Sequence, residues 1–265
     1  TTAEAEGKAA AAGALWSLAR GLPETQAAVA DEGAIQPLVA LLQSDDSSQQ
    51  LKAAGAISGL AAGNPLNQDA VTKANGIPAL VALLSNTGFR EVQARAADAL
   101  AELCCDHTQN QTAVAEAGAI APLIALLTQP HISESHVGVM AMEMAAGALW
   151  KLCERHFDNQ TGIAHAGGIQ PLVDLLGTGT DQAQIQAANA LASLALDNHE
   201  NELTVSVAVL ALLDTSVKPG AIFGSAEKTA RAISRLADAH ESHQNALAQA
   251  GGIEKLVAMI QGTKN

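Results

Sequence analysis

The amino-acid sequence predicts an all-α fold, a solenoid of stacked three-helix repeats, and two observations carry that prediction. The hydrophobic content is 48%, yet aromatic residues make up only 2%, and alanine and leucine dominate. These residues favour helices, whereas strands would need the β-branched and aromatic types that are scarce here. The second observation is one phrase of 18 residues that recurs along the chain. A period of this kind is typical of helical repeats that bury their apolar faces by stacking.

Five copies of the phrase are clear. They read TQAAVADEGAIQPLVALL from Thr25, NQDAVTKANGIPALVALL from Asn67, NQTAVAEAGAIAPLIALL from Asn110, NQTGIAHAGGIQPLVDLL from Asn159 and HQNALAQAGGIEKLVAMI from His243. The isoleucines of the first four copies are spaced by 42, 43 and 49 residues. A shorter copy, NHENELTVSVAVLALL from Asn198, lacks the glycine pair. We expect the first two helices of that repeat to be fused or irregular.

Each part of the phrase has a physical role. Asparagine at the first position is suited to cap a short first helix, and the glycine that follows tolerates a positive φ at its C-terminus. Proline then falls in the first turn of a second helix, where its missing N–H costs little. The leucine-rich run after it predicts that the second helix packs on its neighbours.

A longer third helix follows each phrase. Its copies are SSQQLKAAGAISGLA, REVQARAADALAELC, SHVGVMAMEMAAGALWKLC, DQAQIQAANALASLA and SAEKTARAISRLA. Apolar residues recur every three or four positions, which indicates one buried helical face. Paired alanines, such as Ala53 and Ala54, allow third helices of adjacent repeats to approach closely.

In this order of helices and turns the sequence resembles the armadillo-repeat family over nearly its whole length. The resemblance implies a single domain, 1–265, that forms a right-handed superhelix. We divide it into 1–22 as a third helix alone, 23–64, 65–108, 109–157, 158–198, the degenerate 199–241, and 242–265 as a first and second helix.

The resemblance also implies that third helices line a concave groove in which three positions per helix face an extended peptide. The predicted groove residues are Lys52, Arg95, Asp98, Glu102, Met144, Gly147, Lys151, Gln186, Asn189, Ser193, Lys228, Arg231 and Arg235. Among the 18 groove positions, six are basic and two acidic, although the whole chain carries a formal charge of −13. This concentration of cations favours an acidic or phosphorylated partner segment.

Two tryptophans, Trp16 and Trp150, share one phase of the third helix. Trp150, with Met140 and Met144 upstream, is a candidate anchor for a partner, because interface energy is concentrated in such residues. The alternative is that both indoles pack between repeats, in room left by neighbouring glycines.

Catalytic and metal signatures are weak. Cys104-x-x-His107 and Cys153-x-x-His156 recur at one phase, but the cysteines replace a small core residue and the histidines are placed to cap helices. Three cysteines do not describe a disulfide framework. We therefore predict no enzyme activity, no cofactor, no metal, and a location in the cytoplasm or nucleus. The acidic charge argues against nucleic acid, the absence of a long apolar run argues against membrane insertion, and we expect a monomer.

The sequence thus predicts an interaction scaffold or adaptor. Two alternatives remain: an adaptor that transports basic cargo, as the nuclear-import members of the family do, and the substrate-recognition region of a larger protein such as a ubiquitin ligase. Import adaptors carry tryptophan and asparagine pairs along the groove, and those pairs are not found at the corresponding positions here.

Overall fold

A computed structural model describes residues 2–85, 88–128, 136–216, 225–239 and 241–261. Every regular element among these residues is an α-helix. The helices form two compact units, Thr1–Leu152 and Cys153–Asn265, which are taken in turn. The sequence has extra residues before two of the third helices, at 129–136 and 218–225, and most of both insertions lies outside the described residues. His240, which follows a third helix in sequence as His107 and His156 do, also lies outside them.

The first unit is built from third helices that alternate with pairs of shorter helices. Its helices are α1 (Thr2–Ala19), α2 (Pro23–Asp31), α3 (Ile35–Leu42), α4 (Ser47–Ala61), α5 (Pro65–Lys73), α6 (Gly76–Leu84), α7 (Arg90–Cys104), α8 (Thr108–Glu116), α9 (Ile120–Thr128) and α10 (His136–Cys153). The third helices are α1, α4, α7 and α10.

The second unit continues the same order with one exception. Its helices are α11 (Phe157–His165), α12 (Ile169–Thr178), α13 (Asp181–Ala195), α14 (His199–Ser216), α15 (Ser225–Ala239), α16 (Glu241–Gln249) and α17 (Gly252–Gln261). The exception is α14, where one helix of 18 residues replaces a first and a second helix. The short copy of the phrase predicts this fusion, because it has no glycine at which the chain could turn.

Small residues set the distance between consecutive third helices. Ala53 and Ala54 of α4 are fully buried, as are Ala96 and Ala97 of α7. A β-carbon added to Gly59 would lie 3.2 Å from that of Ala19 in the preceding third helix, so the two backbones approach closely. Dense packing of this kind makes the core sensitive to the addition of even one methylene group.

Glycine ends the first helix where the sequence predicts it. Gly33, Gly118, Gly167 and Gly251 have φ between 77° and 86°. At the first of these, the N–H of Ala34 donates to the carbonyl of Val29 at 3.3 Å, and the same bond recurs at the next two corners. This is the hydrogen-bond pattern of a left-handed helix end, and it turns the chain into the second helix.

The predicted role of the asparagines as caps is wrong except at Asn198, whose Oδ1 accepts from an N–H in the first turn of α14. The first helices of the complete copies whose caps the structure describes begin earlier than predicted, so the cap falls three residues before the phrase. His107 and His156 have the extended backbone of a cap, and their ring Nδ1 atoms accept from the N–H groups of Asn110 and Asn159 at 3.3 and 3.4 Å. The histidines therefore cap the starts of first helices, not the ends of third helices.

The asparagine side chain instead forms a hydrogen bond with the preceding third helix. Asn67 Nδ2 donates to the carbonyl of Leu60 at 2.9 Å, and Asn110 Nδ2 donates to that of Leu103 at the same distance. Asn201 repeats the bond in the second unit at 3.0 Å. Asparagine thus satisfies a carbonyl at the C-terminal end of a helix, where no intrahelical partner exists.

The glutamine next to it binds the third helix of its own repeat. Gln68 Nε2 donates to the carbonyls of Glu102 and Cys105 at 2.8 and 3.3 Å. Gln26, Gln111 and Gln160 make the corresponding bonds in their repeats. The asparagine and glutamine side chains are almost completely buried, so these bonds form away from competing water.

Replacing Gln68 with methionine should lower the free energy of unfolding. The substitution keeps the shape but leaves buried carbonyls of α7 without a donor, which costs about 1–3 kcal/mol. The urea midpoint measures the loss, and Gln36→Met, at an exposed position of α3, is the matched control. Equal midpoints for the two variants would contradict this role.

Candidate functional site

Most of the predicted groove residues lie on one face of the first unit. Lys52, Arg95, Asp98 and Glu102 are partly exposed, and so are the predicted residues of α10. The paired alanines beside them, such as Ala96 and Ala97, are buried. The predicted positions in α4, α7 and α10 therefore lie at the boundary between core and solvent. We call this surface the third-helix face.

Two of the predicted groove cations lie over the ring of Trp16. The Nζ atom of Lys52 lies 5.5 Å from the centroid of the Trp16 ring, and the Cζ atom of Arg95 lies 4.9 Å from it. Both distances are within the range of a cation–π interaction. Residues from α1, α4 and α7 thus form one cluster, although Trp16 is not among the predicted groove positions.

A glycine of the next third helix makes room for this indole. A β-carbon on Gly55 would lie 2.6 Å from two ring atoms of Trp16, a separation that would force the ring to move. Gly13, three residues before Trp16 on the same helix, does not provide this room. There a β-carbon would lie 3.5 Å from the Lys52 side chain, which is ordinary contact.

Arg95 also contacts a carboxylate. Its Nη1 atom lies 3.7 Å from Asp98 Oδ2, which is a long ion pair, and its Nη2 atom lies 3.8 Å from the sulfur of Met140. Asp98 Oδ2 accepts a shorter hydrogen bond, 2.9 Å, from the hydroxyl of Ser58. Asp98 therefore neutralises Arg95 only in part. Ser58 is a contact residue that was not predicted from the sequence, whereas Met140 was predicted to lie beside Trp150.

Glu102 lies on the same helix, one turn beyond Asp98. Burial raises the pKa of its carboxyl, the charge of Asp98 raises it further, and Lys151 lowers it. The Nζ atom of Lys151 lies 3.9 Å from the centroid of the Trp150 ring. Lys151 and Trp150 therefore form a second cation–π pair, and the Lys151 charge acts on the Glu102 carboxyl.

The second unit carries the remaining predicted residues on α13 and α15. Gln186 and Asn189 are partly exposed, whereas Ser193 is buried. Arg231 is exposed, and its Nη2 atom lies 2.7 Å from Glu227 Oε1 on the same helix. The side chains of Lys228 and Arg235 lie outside the described residues.

The cysteines are placed as core residues. Cys104 and Cys153 are buried, and burial raises the pKa of both thiols far above the usual range. Thiolates are therefore disfavoured at both positions. The Nε2 atom of His107 lies 3.2 Å from the Oδ1 atom of Asp69. In the described part of the chain, histidine, cysteine and carboxylate side chains form no group suited to hold a metal.

Comparison with known proteins identifies the repeat. Residues 23–62 and 64–105 match the family described as armadillo/beta-catenin-like repeat. No curated protein matches. A computationally designed armadillo repeat protein for modular peptide recognition is 25% identical, with a TM-score of 0.70 over 85% of this chain and 92% of that one.

Two further structures share the fold. A designed armadillo repeat protein in complex with the peptide (KR)4 is 24% identical, with a TM-score of 0.71 over 86% of this chain and 92% of that one. The armadillo repeats only protein from Plasmodium falciparum is 21% identical, with a TM-score of 0.59 over 80% of this chain and 95% of that one.

The fold is therefore an all-α solenoid of three-helix repeats, and the third-helix face lies on its longest helices. The family match covers two of the repeats in the first unit, and the structural matches extend over most of the chain. Two repeats of this chain thus match the armadillo family, and the chain shares its fold with armadillo-repeat proteins.

Gly55→Ala should displace the Trp16 indole. Fluorescence emission of Trp16, recorded in a Trp150→Phe background, should shift as the ring changes its surroundings. Gly13→Ala adds the same methyl group one third helix earlier, where there is space, and should leave the emission unchanged. Equal spectra for both variants would show that Gly55 does not position the indole.

Glu102→Gln should stabilise the protein at neutral pH. Because folding raises the pKa of this carboxyl, the unfolded chain binds fewer protons than the folded chain above the ordinary pKa of 4.5. Stability is consequently lost as the pH rises through that window, and the glutamine variant escapes the loss.

The measurement is the urea midpoint at pH 7 and at pH 4. The advantage of Glu102→Gln over the unmodified chain should shrink at the lower pH. Glu6→Gln, at an exposed position of α1, serves as the control. A pH-independent advantage would contradict the assignment of the effect to the Glu102 charge.

Proposed function

We propose that this protein is a non-enzymatic interaction scaffold or adaptor, and that its third-helix face binds an extended segment of a partner protein. The observation that carries the proposal is the cluster of Trp16, Lys52 and Arg95, which joins three successive third helices. Its members combine aromatic surface with charged donors, the two features that dominate binding hot spots. A designed protein of similar fold was made for modular peptide recognition.

The preferred partner segment is acidic or phosphorylated. Lys52 and Arg95 lie against the ring of Trp16, an uncharged partner that does not neutralise them. Arg95 has only a long ion pair with Asp98, and the hydroxyl of Ser58 is the closer partner of that carboxylate. Both cations can therefore exchange water for a carboxylate or phosphate, which forms strong charge-assisted bonds with arginine.

A specific observation favours a second candidate, a segment with a basic side chain. Burial is the main cause of the raised pKa of Glu102 and repulsion by Asp98 adds to it, and a cation placed between the two carboxylates would relieve that repulsion. A designed armadillo protein of similar fold was solved in complex with the peptide (KR)4. Under this alternative the protein would act as an adaptor for basic cargo.

The setting of this function is also part of the proposal. We place the protein in the cytoplasm or nucleus, without a cofactor. In the described residues no single helix is long and apolar enough to cross a membrane, although α8 and α9, bent by 77°, pass a test of combined length and composition. The same binding role would suit the substrate-recognition region of a larger protein.

Peptide titration tests the proposal and separates the two candidates. Fluorescently labelled peptides of equal length, one rich in aspartate and phosphoserine, one rich in lysine and arginine, and one uncharged, are titrated with the protein. Anisotropy should report binding of the acidic peptide. Tighter binding of the basic peptide would support the second candidate, and no binding of any peptide would remove the proposal.

Charge reversal locates the site. Lys52→Glu combined with Arg95→Glu should weaken binding of the acidic peptide by at least about tenfold, since each lost charged contact is worth about 1.5–3 kcal/mol. Arg20→Glu combined with Lys73→Glu changes the net charge equally at exposed positions elsewhere and should have little effect. Equal losses would indicate attraction by net charge alone.

A further inference from the structure

A groove lies between α14 and α16, two helices of the second unit that pack on each other. Its cavity is about 450 Å³. Leu203 of α14 lines the groove and is 63% exposed, and Val207, one turn further along the same side of the helix, is 54% exposed. We call this surface the α14–α16 groove, and its polar lining residues are His199, Glu202, Asn245 and Gln249.

Hydrogen bonds fix the register of α14 against the regular first helices. Asn201 Nδ2 donates to the carbonyl of Leu194, seven residues earlier, just as Asn110 Nδ2 donates to that of Leu103. Asn201 therefore takes the place that Asn110 has in α8. The residues that follow these asparagines can then be compared position by position.

The two exposed apolar residues of α14 stand where the regular first helices carry polar ones. The position of Leu203 is aspartate in α5 and threonine in α8 and α11, and the position of Val207 is lysine, glutamate and histidine in the same three helices. The residues at the Val207 position, which are exposed within complete repeats, are Lys73, Glu116 and His165. The exposure of this side of α14 is therefore a property of the first-helix position.

In other repeats, a polar contact joins successive first helices at the Leu203 position. Asp69 Oδ1 lies 3.2 Å from Nε2 of His107, the residue that caps α8. Thr161 Oγ1 accepts from Asn198 Nδ2 at 3.3 Å, immediately before α14 begins. A leucine side chain has no group for such a bond, so Leu203 leaves its wall of the groove apolar and open.

The residue before Leu203 is a carboxylate where the regular repeats have glutamine. Glu202 cannot donate the hydrogen bonds that Gln111 and Gln160 donate to third helices. Its Oε2 atom lies 3.2 Å from Nδ1 of His199, a fully exposed side chain. Its Oε1 atom is buried and has no hydrogen-bond partner among the described residues. The groove thus combines apolar surface with a carboxylate whose contact with an exposed imidazole is easily exchanged.

The charge of the surroundings favours a basic ligand. Glu241, Asn245 and Gln249 are spaced by four residues, so they lie along one side of α16, and Glu241 is exposed. Glu200, in the first turn of α14, is exposed as well. Lysine and arginine are not found among the described residues that line the groove. A basic ligand is therefore attracted to this surface, and an acidic one is repelled.

We propose that the α14–α16 groove binds a basic amphipathic helix of a partner protein. Helices that bind in grooves present apolar residues spaced by three and four positions, which matches the one-turn spacing of Leu203 and Val207. A lysine or arginine of the bound helix would replace His199 as the partner of Glu202 in a charge-assisted bond. The groove is formed by α14 and α16, not by third helices, so this proposal does not rest on the proposed function.

Titration with a labelled synthetic peptide tests the proposal. The peptide is a helix of about 18 residues, or five turns, with leucine at every third or fourth position and lysine and arginine beside the leucines. A second peptide has the same leucines and glutamate at the basic positions. Anisotropy should report binding of the basic peptide and not of the acidic one. Binding of neither peptide, or of both alike, would overturn the proposal.

A double substitution locates the apolar contact. Leu203→Thr combined with Val207→Glu gives α14 the residues that α8 carries at these positions, so the fold should be kept. Binding of the basic peptide should weaken at least about tenfold, because apolar contact is lost. Attraction by charge alone would instead strengthen it, since the variant gains a negative charge. Leu66→Thr combined with Phe157→Glu, at exposed positions of α5 and α11, is the control and should keep the affinity.

The substitution Glu202→Gln tests the charged contact and restores the glutamine of the regular repeats. It should weaken binding of the basic peptide about threefold, as expected for a partly exposed ion pair. A peptide with glutamine at the basic positions should not distinguish the variant from the unmodified chain. A loss of equal size for that uncharged peptide would overturn the assigned role of Glu202.

Sedimentation velocity distinguishes a partner helix from a second copy of this chain. Without peptide, the unmodified chain and the variant with Leu203→Thr and Val207→Glu should sediment alike. Self-association of the unmodified chain that this double substitution removes would make a second copy the occupant and overturn the proposal. Amide hydrogen exchange in α14 and α16 should slow when the basic peptide is added, and protection confined to other helices would contradict the site.

Discussion

The structure depends on buried amide side chains that bind the C-terminal carbonyls of the third helices. A helix end leaves carbonyls without intrahelical partners, and burying them unpaired would be costly. Asn67 and Asn110 of two first helices bind the preceding third helix, and the glutamine next to each of them binds the third helix of its own repeat. The pair therefore fixes the position of one third helix relative to the next. Because the partners are backbone atoms, the third-helix side chains remain free to vary along the face.

This constraint explains how a chain with a charge of −13 can present a cluster of cations. Because the spacing of the third helices is fixed, α4 and α7 each place one cation over the ring of Trp16, which belongs to α1. Gly55 supplies the space for that ring, so the tryptophan and glycine act as a matched pair on adjacent helices. A repeat that carries a larger residue in place of this glycine, such as the one containing α7 with Asp98, could not accept an indole in the same position.

Much of the fold can be predicted from the sequence, because the repeat phrase encodes local structure. The segments predicted as third helices coincide with Ser47–Ala61 and Asp181–Ala195, and a positive φ ends the first helix at the predicted glycine in four copies but at Asn75 in the copy from Asn67. The caps were assigned to the wrong residues. A pattern shows that an asparagine recurs but not which carbonyl its amide reaches, since that partner belongs to another helix. The same limit applies to the site: Lys52 and Arg95 were identified, but the cation–π cluster depends on Trp16, more than 30 residues away in sequence.

The unbroken helix α14 has a consequence for local motion. In the regular repeats, the corner at a glycine such as Gly167 interrupts the ladder of amide hydrogen bonds, so a short helix can open on either side of it without disturbing the other. An uninterrupted helix of 18 residues, about 27 Å long, has no such interior break. Its central amides exchange hydrogen with solvent only when fraying from a terminus reaches them or when the surrounding unit opens. Loss of the corner glycine thus merges two independently opening segments into one cooperative element.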